Sequence, residues 1–468
     1  MVADARYDLV VVGLGSAGLV ACEFAARLGL RVVGVDAASP GGDCLWSGCV
    51  PSKSLIAAAA VAHRMRHADR FGLPSSDPSV DLKLVWDRIA QVQQEFAETT
   101  DSPGRLEAMG VELLLGRPGR LVAPHTVQVG DRLIRGRKLL LCTGGRPLEP
   151  PIPGLAEAGY LTSETFFKRP APPRELIFIG GGPICLELAQ AMRRLGCEVT
   201  VLELAEQLLG HEEPSLSGAL ADVLRGEGVG IELGVRLERV ELRGGRKVVS
   251  GSRLGVNHSW EADEIFVGVG RVPVVSGLGL EDVGVTVGAS GIPVDTGLRT
   301  NVPGVYACGD VTGGLLFTHV AGHEAARAVR GMFFPGSGRA LGPVPWCIFT
   351  EPELAHVGLT EAEALGRKHG VQVWGTDVEP SDRSRTDGVA SPHLRLITAR
   401  GRLVGAHILG PHAGEVIHEL ALAISQGLKL GDLANLVHAY PTYAGSVGQV
   451  AAEAGVARAL RLKWLMRR

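Results

Sequence analysis

The chain has 468 residues, a formal charge of -3 from 47 basic and 50 acidic side chains, 46% hydrophobic content and 64 glycines. At roughly 150 residues per domain this length predicts about three domains, each able to bury its own core. A near-neutral charge without a long basic run excludes the electrostatic footprint of a nucleic-acid binder, and the aliphatic content excludes collagen and disorder, so the glycines need a local explanation.

Met1-Val2-Ala3-Asp4 lacks a basic leader, and the most apolar stretch, 55–62, stops at His63-Arg64, too short for a bilayer span. A soluble, cytoplasmic protein acting on small ligands is expected. Eight cysteines (22, 44, 49, 142, 185, 197, 308 and 347) do not make a disulfide scaffold in so long a chain. In a reducing compartment most are expected to be buried small hydrophobes, and any that pair should be working ones.

Residues 7–12 form a Val-rich apolar run that reads as a buried parallel strand. The turn Gly13-Leu14-Gly15-Ser16-Ala17-Gly18 follows, then a helix, then a strand over 31–35 ending at Asp36. This is a complete dinucleotide fingerprint, with the acid about 20 residues past the turn. Gly13 permits the tight turn, Gly15 lets backbone approach a pyrophosphate, Gly18 lets helix pack on strand, and Asp36 is expected to accept ribose hydroxyls.

The pattern repeats after proline-rich breaks at 147–153 and 170–173. A strand over 176–179 leads into Gly180-Gly181-Gly182-Pro183-Ile184-Cys185, a helix over 186–195 and a strand over 198–202 ending at Glu203. Cys185 stands at the third glycine position, and Pro183 suits a first helical turn, where its missing N–H is not needed. Glu203 and Glu206 would accept from a free 2′-hydroxyl and repel a 2′-phosphate, which favours NADH over NADPH. A third strand and Gly-Asp turn follow over 300–310, and from 341 onward a separate α/β domain is expected, with strands at 394–398 and 403–409 and a helix over 414–426.

The passage Gly41-Gly42-Asp43-Cys44-Leu45-Trp46-Ser47-Gly48-Cys49-Val50-Pro51-Ser52-Lys53 places two cysteines five positions apart. At that spacing their Cα atoms can come within bridging distance, and a helix starting near Cys49 would lower its thiol pKa, with Lys53 adding positive charge. By itself such a pair is equally readable as two buried thiols or half a metal site. No further CxxC or histidine cluster supplies metal ligands, and the pair directly follows a dinucleotide turn.

With these motifs the chain resembles the pyridine nucleotide-disulfide oxidoreductases over essentially its whole length. The redox passage, Cys142-Thr143-Gly144-Gly145-Arg146-Pro147, Gly270-Arg271-Val272-Pro273 and Tyr306-Ala307-Cys308-Gly309-Asp310 match four of the family's ordered motifs. The resemblance implies an α/β fold of two Rossmann-like domains, for FAD and NAD(P)H, plus a C-terminal α/β dimerisation domain. The expected divisions are 1–150 and 271–340 for FAD, 151–270 for NAD(P)H and 341–468 for a homodimer interface. It further implies FAD at the first fingerprint with Asp310 nearby, NAD(P)H at the second, and electrons passing through flavin to a Cys44–Cys49 disulfide. Cys49 would be the flavin-proximal thiolate, Cys44 the more exposed interchange thiol, and Lys53 and Glu187 an ion pair beside the flavin.

One family element is missing. Where its disulfide reductases carry a C-terminal histidine, proline and glutamate, this chain has His438-Ala439-Tyr440-Pro441-Thr442-Tyr443-Ala444-Gly445, with Tyr440 at the histidine position and no acid after it. A tyrosine of pKa about 10 is a poor base but can donate a proton or hydrogen bond. His438 lies two residues away, roughly 7 Å along an extended chain, and replaces it only if the backbone shifts. Acceptors that need no base, such as quinones, dyes, oxygen or metal ions, are favoured over glutathione disulfide or lipoamide, whereas mercuric ion itself is not supported, because no cysteine follows Cys347 to match the C-terminal pair of the mercuric reductases in the family. The rival readings are a diaphorase with a vestigial disulfide and a redox-sensing protein. The basic and apolar tail 458–468 is expected to be a terminal helix, its sharper alternative being peripheral contact with an anionic membrane.

Overall fold

The computed structural model describes residues 6–169, 173–334, 341–375 and 381–461. Strand Tyr7–Val12, apolar on both faces, sits inside a seven-stranded sheet with parallel neighbours Val32–Asp36 and Arg132–Leu141. Burial on both faces is why this strand lacks polar alternation. Much later in the chain Val305–Ala307 returns to pair in parallel with Arg132–Leu141. Helix Ser16–Arg27 buries Ala17, Gly18, Ala21, Cys22 and Ala25, small residues that let helix Thr318–Phe333 pack closely against it.

The repeat forms a second parallel sheet, ordered Gly230–Glu232, Glu198–Leu202, Glu175–Ile179 and Glu264–Val267. Its helix Pro183–Arg194 starts three residues before the expected 186, at the proline, and is buried nearly all round because it lies between its own sheet and helix Cys49–Arg66. Among the expected linkers, 170–172 lie outside the described residues. Strand Gly145–Pro147 leaves the first domain and Arg271–Pro273 re-enters it, and the two pair antiparallel.

The C-terminal domain is a five-stranded antiparallel sheet, ordered Pro345–Ile348, Glu353–Gly358, Arg402–Gly410, His393–Ala399 and Val371–Trp374. Helix Ala413–Ser425 packs on it, and Leu422, Leu436, Val437, Tyr440 and Val456 remain exposed. Arg194 is buried where this domain meets the second sheet, neutralised by Glu227 and Glu351.

Two expectations change here. The apolar run is part of a longer segment, Gly42–Arg66, which by length and composition could cross a bilayer, the one such helix among the described residues. It carries the redox motif and packs against helices Pro183–Arg194 and Leu82–Glu98, with 33% of its apolar window buried. The terminal helix runs Gly445–Arg461, and the rest of the basic tail lies outside the described residues.

Candidate active site

The two nucleotide turns share one geometry. Gly13 has φ +95°, and a Cβ there would stand 2.3 Å from the carbonyl oxygen of Cys142. Gly180 has φ +113°, and its Cβ would stand 2.6 Å from that of Gly268. Asp36 accepts from the N–H of Leu14 at 2.5 Å and of Ala38 at 2.8 Å, and Glu203 accepts from Gly181 at 2.5 Å and Ala205 at 2.7 Å. Each acid therefore braces the turn that precedes its strand, while retaining lone pairs for a ribose. Burial raises the Asp36 pKa against the pull of those backbone donors.

Cys185 is not merely tolerated at the third glycine position. It is fully buried, and a Cβ on Gly268 would lie 2.4 Å from its sulfur. In the first turn Gly18 takes that position and the strand-end residue is Cys142; in the second, Cys185 takes it and the strand-end residue is Gly268. In the second turn the space that Cys185 takes is left open by Gly268.

Both turns fit a dinucleotide. Helices Ser16–Arg27 and Pro183–Arg194 begin at Gly15 and Gly182 without side-chain caps, leaving their first N–H groups for an anion. Gly42 brings the redox segment so close that a Cβ on it would lie 2.7 Å from Gly15 Cα. The second turn opens on a cleft of about 700 Å³ lined by Gly180, Gly182, Ile184, Glu203, Gly270 and Arg271. Arg271 links the two halves: it pairs with Asp43, donates to the Gly145 carbonyl at 2.6 Å and stands 3.3 Å from Asp310. Burial raises the Asp310 pKa, and Arg271 opposes the rise. The Thr143 hydroxyl donates to Val274 and the Gly144 carbonyl accepts from the same residue's N–H, anchoring the crossing, while Gly309, at φ +76°, donates to Glu324 at 2.9 Å.

Cys49 opens helix Cys49–Arg66. Lys53 stands one turn further along and bonds Glu187 at 2.7 Å. Glu187 is buried, not on a solvated face, and its other oxygen accepts from the Phe349 N–H at 2.9 Å. The Lys53 ammonium also lies 4.4 Å from the Phe349 ring centroid. Cys44 and Cys49 are free thiols in hydrogen-bond contact, and both are half-buried, so exposure does not set Cys44 apart as expected. Electrostatics does. The bond from Cys44 lowers the Cys49 pKa to about 6, aided by Thr318 and Lys53 and opposed by burial and Glu187. The same contact, with burial, raises that of Cys44.

Three contributors escaped the sequence reading. Thr318 Oγ1 lies 3.4 Å from Cys49 Sγ, Phe349 backs Glu187, and Glu324 holds Gly309. None belongs to a local motif with the residue it serves. Tyr440 and His438, by contrast, do not join the cysteines of their own chain. Tyr440 is 82% exposed and donates to Asp382 at 3.0 Å. His438 is turned inward, 3.2 Å from both carboxylate oxygens of Glu419, and packs where a Cβ on Gly448 would lie 2.8 Å from its ring.

The family model for pyridine nucleotide-disulphide oxidoreductases matches residues 7–325, and that for their dimerisation domain matches 344–451. The chain belongs to this family. It is therefore a flavin-dependent enzyme that takes NAD(P)H, and its dimerisation domain supports a homodimer. It is 32% identical to a mercuric reductase of Bacillus cereus over 94% of this chain and 70% of that one. It is 34% identical to a dihydrolipoyl dehydrogenase of Thermus scotoductus over 93% and 95%. Among solved structures, the Cu(II) complex of the HOCl-induced flavoprotein disulfide reductase RclA from Escherichia coli matches with a TM-score of 0.83 and 26% identity, covering 96% of this chain and 99% of that one.

Proposed function

We propose that this oxidoreductase uses NADH and the Cys44–Cys49 pair to reduce an acceptor that requires no general base, a thiophilic metal cation in the first instance. Bound FAD supplies the two-electron relay between the nicotinamide and the sulfur pair. Gly13, Gly15, Ser16, Ala17, Gly18, Asp36, Gly42, Asp43, Thr143, Gly144, Gly309 and Asp310 are the residues that would hold it. The hydrogen bond from Cys44, helped by Thr318 and Lys53, keeps Cys49 ionised and leaves Cys44 as the protonated partner.

The observation that carries this reading is the state of Tyr440, which stands in place of the expected histidine, exposed with its hydroxyl given to Asp382, while no acid follows it over 441–446. Thiol–disulfide exchange expels a thiolate that must be protonated, and a nearby acid-base group speeds that step. A soft cation instead displaces the Cys44 proton to solvent and takes up both sulfurs, so the protein needs no base of its own. Two proteins to which the chain is similar, a mercuric reductase and a flavoprotein disulfide reductase in complex with Cu(II), support this acceptor class. A quinone or dye reductase is the second reading, favoured by the same exposed tyrosine.

NADH is preferred in this reading because Glu203 is braced at the cleft wall by Gly181 and Ala205, where a 2′-phosphate would meet its charge, although Arg236 also lines the cleft. Anaerobic titration with NADH and with NADPH, followed by a panel of mercuric ion, cupric ion, quinones, glutathione disulfide and lipoamide, tests all parts. The expected result is uptake of four electrons per chain, metal-ion turnover lost in Cys44→Ser, and a preference for NADH of about tenfold, or about 1.4 kcal/mol. Two-electron uptake, or fast turnover of either disulfide, would overturn the reading.

A further inference from the structure

Away from the cysteines, Glu212, His356 and His407 meet in the interior, with 5%, 2% and 0% of their surfaces exposed. Glu212 comes from the turn before helix Pro214–Gly226 of the nucleotide domain. The histidines are cross-strand partners on Glu353–Gly358 and Arg402–Gly410 of the C-terminal sheet. One ligand atom from each residue lies within 4.8 Å of those of the other two.

The hydrogen bonds around the cluster dictate which atoms face inward. His356 Nε2 is 3.0 Å from the Gly358 carbonyl and His407 Nε2 is 3.0 Å from that of Leu359, so each ring is set to donate its N–H outward from Nε2. In His407 that tautomer leaves a lone pair on Nδ1. The Nδ1 of His407 has no partner although it is buried, and the Nδ1 of His356 lies 2.9 Å from Glu212 Oε2, a contact that a shared proton or a cation bound by both can fill. Trp346 Nε1 holds the other oxygen of Glu212 at 2.6 Å, and its ring stacks on His356 with centroids 3.7 Å apart. Backbone carbonyls orienting two imidazoles while their opposite nitrogens converge with a carboxylate is the arrangement that positions metal ligands.

Charge points the same way. Glu213, also buried, and Glu361 both pair with Arg395, so with Glu212 the surroundings hold three carboxylates against one guanidinium. A dication cancels that surplus.

We infer that Glu212, His356 and His407 form a structural binding site for a borderline divalent transition cation of the zinc class, tying the nucleotide domain to the C-terminal domain. Two imidazoles and a carboxylate are a known zinc donor set, with a fourth position open to water. The tie is independent of the redox pair.

The test uses the holoenzyme carrying Cys44→Ser and Cys49→Ser, expressed with added zinc and dialysed against a chelator, so that the redox sulfurs cannot contribute. Elemental analysis is expected to find stoichiometric zinc, and X-ray absorption at the zinc edge a shell of nitrogen and oxygen alone. His407→Gln and Glu212→Gln, each in that background, are expected to lose the zinc. Absence of zinc, a sulfur-containing shell, or full retention in a folded His407→Gln or Glu212→Gln protein would overturn the inference. The absorption measurement needs no ligand variant, so misfolding of either leaves it decisive.

Discussion

Replacing Thr318 with valine removes the hydroxyl that lies 3.4 Å from Cys49 Sγ while conserving shape. A hydrogen bond to a charged group contributes roughly 1.5–3 kcal/mol, and one pKa unit corresponds to about 1.36 kcal/mol. The bond is long, accepted by sulfur, and Cys49 is half-buried, so the low end applies and the Cys49 pKa should rise by about one unit. Starting from about 6, that moves the thiolate transition towards neutrality. The clean background is Cys44→Ser, whose hydroxyl still donates to Cys49 but cannot be alkylated. The pH dependence of iodoacetamide alkylation in the reduced protein, with and without Thr318→Val, gives the two midpoints. Because the thiolate is the reactive form, Thr318→Val should slow alkylation most between the two midpoints and leave it unchanged above both. Coincident profiles would show that Thr318 does not stabilise the thiolate, and that Lys53 and the thiol partner suffice.

Lys53→Met strands the buried carboxylate of Glu187, and after discounting for the partial exposure of Lys53 it should cost about 2 kcal/mol in urea unfolding, with Glu187→Gln in the same chain recovering most of it. A Cβ on Gly18 would sit 1.8 Å from the Gly13 carbonyl oxygen, so Gly18→Ala should yield protein without bound flavin. Visible absorbance per chain reads this directly, and full yellow colour would show the turn to be more pliant than its geometry. Gly268→Ala drives a methyl into Cys185 Sγ and should destabilise the nucleotide domain by about 1–3 kcal/mol. Adding Cys185→Gly should restore it, and denaturation of the double variant no better than Gly268→Ala alone would remove the compensation argument.

Much of the catalytic framework is legible along the chain because its physical demands are local. A glycine at 13 or 180 is required by a left-handed turn closed against neighbouring backbone, an acid at 36 or 203 follows from the span of one helix and two strands, and Cys44 and Cys49 meet within a single helical entry. Such features leave spacings that any reader of the sequence can count. The absence of the histidine and acid around Tyr440 is equally plain, although its exposure and its bond to Asp382 are not.

What only the tertiary structure decides are contacts between residues that share no motif. Lys53 meets Glu187 because two helices from different domains pack side by side, and Thr318 meets Cys49 because the chain leaves the first domain, builds a second, and returns through Val305–Ala307. Cys185 reads as a degenerate glycine until Gly268 is found making room for it. Glu212, His356 and His407 are unremarked in sequence, since a carboxylate before one helix and histidines on two strands converge only when the C-terminal sheet docks on the nucleotide domain. Sequence alone determined the nucleotide turns and redox pair, which depend on backbone conformation over a few residues; the protonation of Cys49 and the buried histidine cluster depend on how distant surfaces pack.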